Sequence, residues 1–242
     1  LSVAALVVIF SQSACKKDPT PPSPTEGDLT YIPYNPTPYA IAKPAHFPQI
    51  PVPDSNLMTV EGVQLGRRLF YDPILSGDSS MSCASCHLPT GSFTDNKGFS
   101  RGIDGFIGRR SSMSLLNIAY ATNGLFWDGR AGTLEQQALR PVEDAIELHT
   151  TWPKVVDKLK AHKTYPELFR KAFGIKNISD IDRYLAAKAI AQFERILISS
   201  GKSKFDQARF EGKGDVLDDE ELDGMLMFMD EGARYGLPDA QC

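Results

Sequence analysis

The 242-residue chain carries only four cysteines, too few for a disulfide-stapled scaffold. It has no basic excess. Against 26 Lys and Arg stand 30 Asp and Glu, giving a formal charge of −4 and a pI near 5.6, which excludes a nucleic-acid binder built on a basic footprint. The apolar stretch at its start, Leu1 to Phe10, is too short to cross a bilayer. No run alternates with period two over the length of a strand, and no unit repeats at solenoid spacing. What is left, 42% hydrophobic and 23% charged, is the composition of a globular protein able to bury a core in one large or two small domains.

Residues 1–15 read as the remnant of an export signal: the apolar stretch is followed by Ser11, Ser13 and Ala14 and then Cys15, a lipobox-like order in which Cys15 would carry a lipid, although Gln12 stands where Leu is usual. That places the protein in the periplasm or cell envelope, anchored to a bacterial membrane. Residues 16–53 hold a large share of the 17 prolines and show neither helical nor strand period. They are expected to form a tether and then an arm, with Tyr31, Ile32, Tyr34, Tyr39 and Phe47 lying across the folded domain and His46 a bystander.

Helical spacing dominates the remainder. Thr59 is a candidate N-cap for Val60, Val63, Leu69 and Phe70, and Thr133 with Gln136 forms a capping box for a helix that Pro141 should end. Met113 to Ala121 has helical spacing. Thr151 and Thr164 each precede a short amphipathic helix, the second closed by Gly174. The longest helix is expected from about Asp180 to Ser199, capped by Ser179. The fold class is therefore all-α with long loops.

Cys83-Ala84-Ser85-Cys86-His87 is a C-x-x-C-H, the attachment sequence of c-type haem, in which two thiols add to the vinyl groups and the His ligates the iron. A zinc ribbon needs a second ligand pair, yet Cys15 and Cys242 stand at the extremes of the chain. A thioredoxin-like redox pair needs a βαβ setting that the pattern lacks. Export fits haem attachment, which takes place outside the cytoplasm.

Around this motif, Ser80 to Asp95 (SMSCASCHLPTGSFTD) and Leu125 to His149 (LFWDGRAGTLEQQALRPVEDAIELH) make the chain resemble the bacterial di-haem cytochrome c peroxidase family, with the likeness extending roughly from Leu57 to Phe228. The resemblance implies a cytochrome-c-like helical domain at residues 54–175 and the partial start of a second at 176–242. It implies one covalent haem c here, and a second on a further C-x-x-C-H, of which Cys242 would be the first cysteine. It places Glu147 at the family's catalytic carboxylate and Trp127 at the tryptophan of the electron path. Arg109 and Arg110 are candidates for a haem propionate, or a solvated basic pair, and Asp128 with Arg130 should form an ion pair around Gly129. Where some members carry a distal His, the nearest residue is Ile103, so the iron is expected to rest five-coordinate or water-ligated. Met225, Met227 and Met229 are read as helix core, and His149 as a surface residue.

The implied enzyme is a haem peroxidase that reduces hydrogen peroxide to water with electrons from a small cytochrome c or cupredoxin. Two other readings stand beside it: a mono-haem electron carrier with a sixth ligand from the protein, and a di-haem oxidase acting on a protein or small-molecule partner, for which Tyr120 is the nearby axial candidate. Calcium is left open, Ser111 standing where some members carry Asn, and so is a homodimer.

Overall fold

A computed structural model describes residues 26–229 and Gly236; Cys15, Cys242 and the expectations attached to them lie outside the described residues. The described chain is helical, with isolated bridges and no strand. Helix α1, Val60–Tyr71, starts where Thr59 sits in an extended conformation and its hydroxyl accepts from Gly62 N at 3.0 Å. Such a cap contributes about 1 kcal/mol. Helix α2, Leu134–Glu143, is capped in the same way by Thr133, which accepts from Gln136 N at 3.1 Å. The Gln136 side chain does not complete the capping box; it accepts from Gly132 N instead.

Pro141 does not end α2, contrary to the reading from sequence, because it falls in the last turn, where a missing N–H costs one bond and the helix closes through Asp144 N to Arg140 O at 3.1 Å. Helices α3, Trp152–Ala161, and α4, Tyr165–Phe173, follow in short succession, and Gly174 in the left-handed region (φ +71°) closes α4. Helix α5 is shorter than its periodicity suggested. It runs Arg183–Arg195 with Asp182, not Ser179, accepting from Leu185 N at 2.8 Å. Beyond it, Leu197 O and Ser199 N bond to Asn117, which pulls the chain out of the helix. Asn117 itself is left-handed (φ +61°), so Met113 to Ala121 is a loop with one 3-10 turn rather than a helix. Helices α6, Lys204–Phe210, and α7, Asp219–Phe228, complete the described chain; Leu226 of α7 is buried between the half-buried Met225 and Met227.

Helices α1 and α5 cross at the centre. Leu65 and Leu69 of α1 join Trp152, Val155 and Leu159 of α3, Tyr165 and Phe169 of α4 and Ala186, Ala187, Ala189 and Ile190 of α5 in one apolar cluster. Phe70, Leu115, Leu125, Leu134, Phe193 and Leu197 form another. Helix α5 shares the first core with α1 to α4. The proline-rich arm lies along this core: Leu29 and Ile32 are buried, Val60 N reaches Thr37 O at 2.8 Å, and Arg170 Nε donates to Ile32 O at 2.9 Å. His46 meets Asp206 at 3.1 Å and stacks on Phe210, tying the arm to α6.

The crossing requires Gly66. A Cβ at that position would stand 1.8 Å from the backbone carbonyl oxygen of Ala189, so the helices can approach this closely only without a side chain. Gly66→Ala gains up to about 1 kcal/mol in helix propensity, yet should lose a net 1–3 kcal/mol, roughly, because the helices must part. Urea unfolding measures this; a neutral or stabilising result would refute the tight crossing.

Candidate functional site

The haem-type motif is carried on one tight turn. Cys86 N and His87 N both reach Cys83 O, at 3.2 and 3.0 Å, and Ser82 N donates to Ser85 Oγ at 3.1 Å. Upstream, the ammonium of Lys158 on α3 donates to Ser76 O at 2.7 Å, Ile74 O at 3.3 Å and Ser79 Oγ at 3.1 Å, which pins the segment leading into the turn. Downstream, Phe93 adopts a left-handed conformation (φ +60°) in a small loop closed by Phe93 N to Leu88 O at 2.8 Å. That loop turns Phe93 O toward the imidazole, 2.8 Å from His87 Nδ1. A proton held on Nδ1 leaves the Nε2 lone pair for a metal. Burial lowers the His87 pKa, against the carbonyls of Phe93 and Met113 and the Asp95 carboxylate, so the ring is neutral, the form that ligates.

Cys83 packs against both apolar clusters, and between them lies a cavity of about 440 Å3. Phe70, Leu75, Val142 and Ile190 give it apolar walls; Cys83, Cys86 and His87 occupy one part of its lining. Burial pushes the Cys83 thiol up to about 12 and the Cys86 thiol upward as well, with the carboxylates of Glu194 and Glu147 adding to the first and of Asp95 and Glu147 to the second. Neither is a thiolate at neutral pH, unlike a redox-active or zinc-binding cysteine. Among the described residues no group of three or more His, Cys, Asp or Glu side chains could hold a metal ion.

Glu147 opens on this cavity, and the reason lies in the end of α2. The carbonyls that α2 leaves over are taken up by the chain that follows: Leu148 N reaches Pro141 O at 3.2 Å, Thr150 N reaches Val142 O at 3.1 Å, and Glu147 N reaches Asp144 O at 3.2 Å. The loop of residues 99–110 then lies on this turn through Ile103 N to Glu147 O at 3.1 Å. Gly102 makes that approach possible, since a Cβ there would fall 1.4 Å from Ile146 O. Desolvation, helped by Asp144 and opposed by Arg130, raises the Glu147 carboxyl to about 6. By surface area Glu147 is exposed and Cys83 half-buried, and both line the cavity.

Trp127 also lines the cavity and remains 65% exposed, its Nε1 donating to Ser111 O at 2.9 Å. Asp128 binds Arg130 at 3.0 Å, as the sequence suggested, and Arg110 at 2.7 Å, which together hold its carboxyl well below the usual carboxylate range. Four arginines line the cavity: Arg110 and Arg130 are engaged by Asp128, Arg101 donates to Gly105 O, and Arg109 has no ion pair among the described residues. The backbone N–H of Ile103 is used on Glu147, and His149 pairs with Asp104 at the surface. Tyr120 is not in the cavity wall; its hydroxyl donates to Pro48 O at 3.2 Å.

One residue of the cavity went unnoticed in the sequence. Glu194 of α5 is 3% exposed, lines the cavity and has no hydrogen-bond partner for Oε2. The signal was there: an acid at i+4 from Ile190 on the buried side of an apolar helix.

An apolar slot with two protonated thiols on one turn, and an imidazole oriented to ligate, suits a flat macrocycle whose metal takes the fifth ligand from His87. In an all-helical domain this defines a c-type haem protein. Residues 60–215 match the family model for di-haem cytochrome c peroxidase, and the chain belongs to that family. It is 35% identical over 94% of its length to the cytochrome-c peroxidase IdrP1 of Pseudomonas sp. (strain SCT), covering 54% of that protein. It is 39% identical over 65% of its length to the methylamine utilization protein MauG of Methylorubrum extorquens, covering 44% of it. Among solved structures, a MauG-like protein associated with microbial copper homeostasis superposes with a TM-score of 0.68 at 31% identity, over 78% of this chain and 54% of that one. The chain spans about half the length of the curated relatives it matches.

Glu147 should titrate near 6, above an ordinary Glu, in a carboxyl-carbon NMR titration of the haem-free chain. Because the folded-state pKa is raised, the stability linked to this group is fully present below the unfolded value of 4.5 and is lost as pH rises through about 6. Glu147→Gln should remove that part of the pH dependence of unfolding; an unchanged profile would contradict the desolvated placement.

Proposed function

We propose that the cavity holds one covalent haem c and reduces hydrogen peroxide to water. The observation that carries the reading is Glu147, a carboxyl of raised pKa opening on the same cavity as Cys83, Cys86 and His87. In this reading Cys83 and Cys86 attach the haem, His87 Nε2 ligates its iron, and Arg109 is free to meet a propionate. Bound there, the haem supplies the redox-active iron at which peroxide reacts.

The remaining work falls to the chain. Cleaving the O–O bond heterolytically needs a group that takes the proton from one oxygen and returns it to the leaving one. A carboxyl with a pKa near 6 is poised to do both close to neutral pH. The loop of residues 99–110, seated on Glu147 O, covers the turn and brings Arg101, Arg109 and Arg110 to the cavity lining. Trp127, which lines the cavity and is exposed outside it, would pass electrons inward from a partner surface. Hydrogen peroxide takes two electrons and two protons to become two waters, so a second electron must come from another centre or donor.

The donor proposed is a small cytochrome c or cupredoxin; relatives from Nitrosomonas europaea and Pseudomonas aeruginosa bear the name cytochrome c551 peroxidase. A periplasmic or envelope location with a lipid on Cys15 is proposed from the sequence alone, as are a further haem, calcium and dimerisation. Tyr120, the axial candidate of the oxidase reading, does not line this cavity.

The test is the optical spectrum of the haem-loaded ferric chain before and after one equivalent of hydrogen peroxide. A high-spin spectrum that shifts rapidly supports the peroxidase. A low-spin spectrum that peroxide leaves unchanged would mean a capped iron and an electron carrier. Glu147→Gln should slow the peroxide-dependent change by roughly 10²–10⁴-fold while leaving the resting spectrum intact. Trp127→Phe should slow turnover with a protein donor and spare the direct reaction with peroxide; equal loss in both would remove Trp127 from the electron path.

A further inference from the structure

Glu194 stands apart from the machinery above. Its Oε2 is buried without a partner on the cavity wall, at the end of the helix that crosses α1. The neighbouring Arg195 does not neutralise it in an ion pair, because Arg195 Nη2 is bound to Glu135 Oε1 at 2.9 Å, and Glu135 also accepts from Asn56 at 2.7 Å. Charged groups on the other elements packed against α5 have partners of their own: on α2, Arg140 Nη2 donates to Arg130 O at 3.0 Å. On α1, Glu61 accepts from Thr37 and Arg68 lies over the Tyr165 ring; on α3, Lys158 holds the carbonyls before the haem turn; on α4, Arg170 holds those of Ile32 and Gly174. From the haem turn, Cys83 faces it closely enough to feel its charge, and Glu147 acts on the same thiol.

An unpaired carboxylate in such a place is costly, so the group is held as the neutral acid. Burial, offset by Arg195 and reinforced by Glu135, raises its pKa to about 8. Any positive charge beside Cys83 favours the carboxylate, and removing that charge favours the acid. Proton affinity and electron affinity at two neighbouring sites must change by the same factor.

We propose that Glu194 is the redox-linked proton acceptor of the cavity, binding one proton from solvent as one electron enters the haem iron and releasing it as the electron leaves. This rests on the haem reading. The balance is one electron from a reductant, one proton from water, and the conversion of the Glu194 carboxylate to the acid. It loads the cavity with charge-neutral equivalents, the currency in which peroxide becomes water. Because the linkage fades where Glu194 is protonated in both redox states, it belongs to the pH range around its own titration.

The experiment is the midpoint potential of the haem-loaded full chain, followed spectroelectrochemically from neutral to alkaline pH, for wild type, Glu194→Gln and Glu147→Gln. Wild type and Glu147→Gln should show a potential that falls with rising pH, by at most about 59 mV for each tenfold drop in proton concentration. Glu194→Gln should be flat over the same stretch. A haem-loaded Glu194→Gln chain with the wild-type slope overturns the proposal alone, whereas a wild-type chain that takes up no covalent haem overturns the haem reading and this one with it. If Glu194→Gln fails to load haem, the Glu147→Gln chain decides. Its reduced-minus-oxidised infrared spectrum near pH 8 should gain the carbonyl band of a carboxylic acid, and absence of that band overturns the assignment.

Discussion

The close crossing of α1 and α5 at Gly66 and Ala189 is the constraint on which the rest of the structure depends. It sets Phe70, one turn further along α1, and Ile190 and Glu194, a turn apart on α5, into the walls of a single cavity. A wider crossing would move both walls at once. The register is fixed by polar as well as apolar groups: Gln192 Nε2 donates to Asn56 Oδ1 at 2.9 Å, and Thr59 N donates to Gln192 Oε1 at 3.1 Å, so the cap of α1 is itself bonded to α5. Directional bonds of this kind specify one alignment where apolar packing alone tolerates several.

The second organising device is the end of α2. A helix terminus leaves carbonyls without partners, and here the following residues return to satisfy them. The turn that results holds Glu147 by its backbone while its side chain stays free. Pro141, which seemed to mark a boundary, sits inside this device: its carbonyl accepts from Leu148, and only its N–H is lost. The loop of residues 99–110 is then laid on the turn at Gly102, where no side chain could be accommodated.

Much of this was legible in the sequence. The cysteine and histidine spacing of residues 83–87 names its own chemistry, and Thr59 and Thr133 cap the helices they precede. Other features were hidden for physical reasons. The periodic stretch from Met113 stays non-helical because Asn117 adopts a left-handed conformation and spends its side chain on Ser199, a contact some eighty residues away in sequence. Helix α5 ends early for the same reason. Glu194 was passed over because an acid in a helical segment reads as solvated until the packing shows which side it faces. The pairing of Arg110 with Asp128, which separates it from its neighbour Arg109, likewise depends on a loop geometry that no local pattern encodes.

The height of the Cys83 pKa bears on how the folded chain meets oxidants. At about 12 the thiol is ionised in only one molecule in about 10⁵ at neutral pH, and it is wedged between two finished cores. Thiol–disulfide exchange runs through the thiolate, so the folded chain is slow to oxidise at Cys83. The packing that shapes the cavity therefore also protects the sulfur that lines it from oxidation.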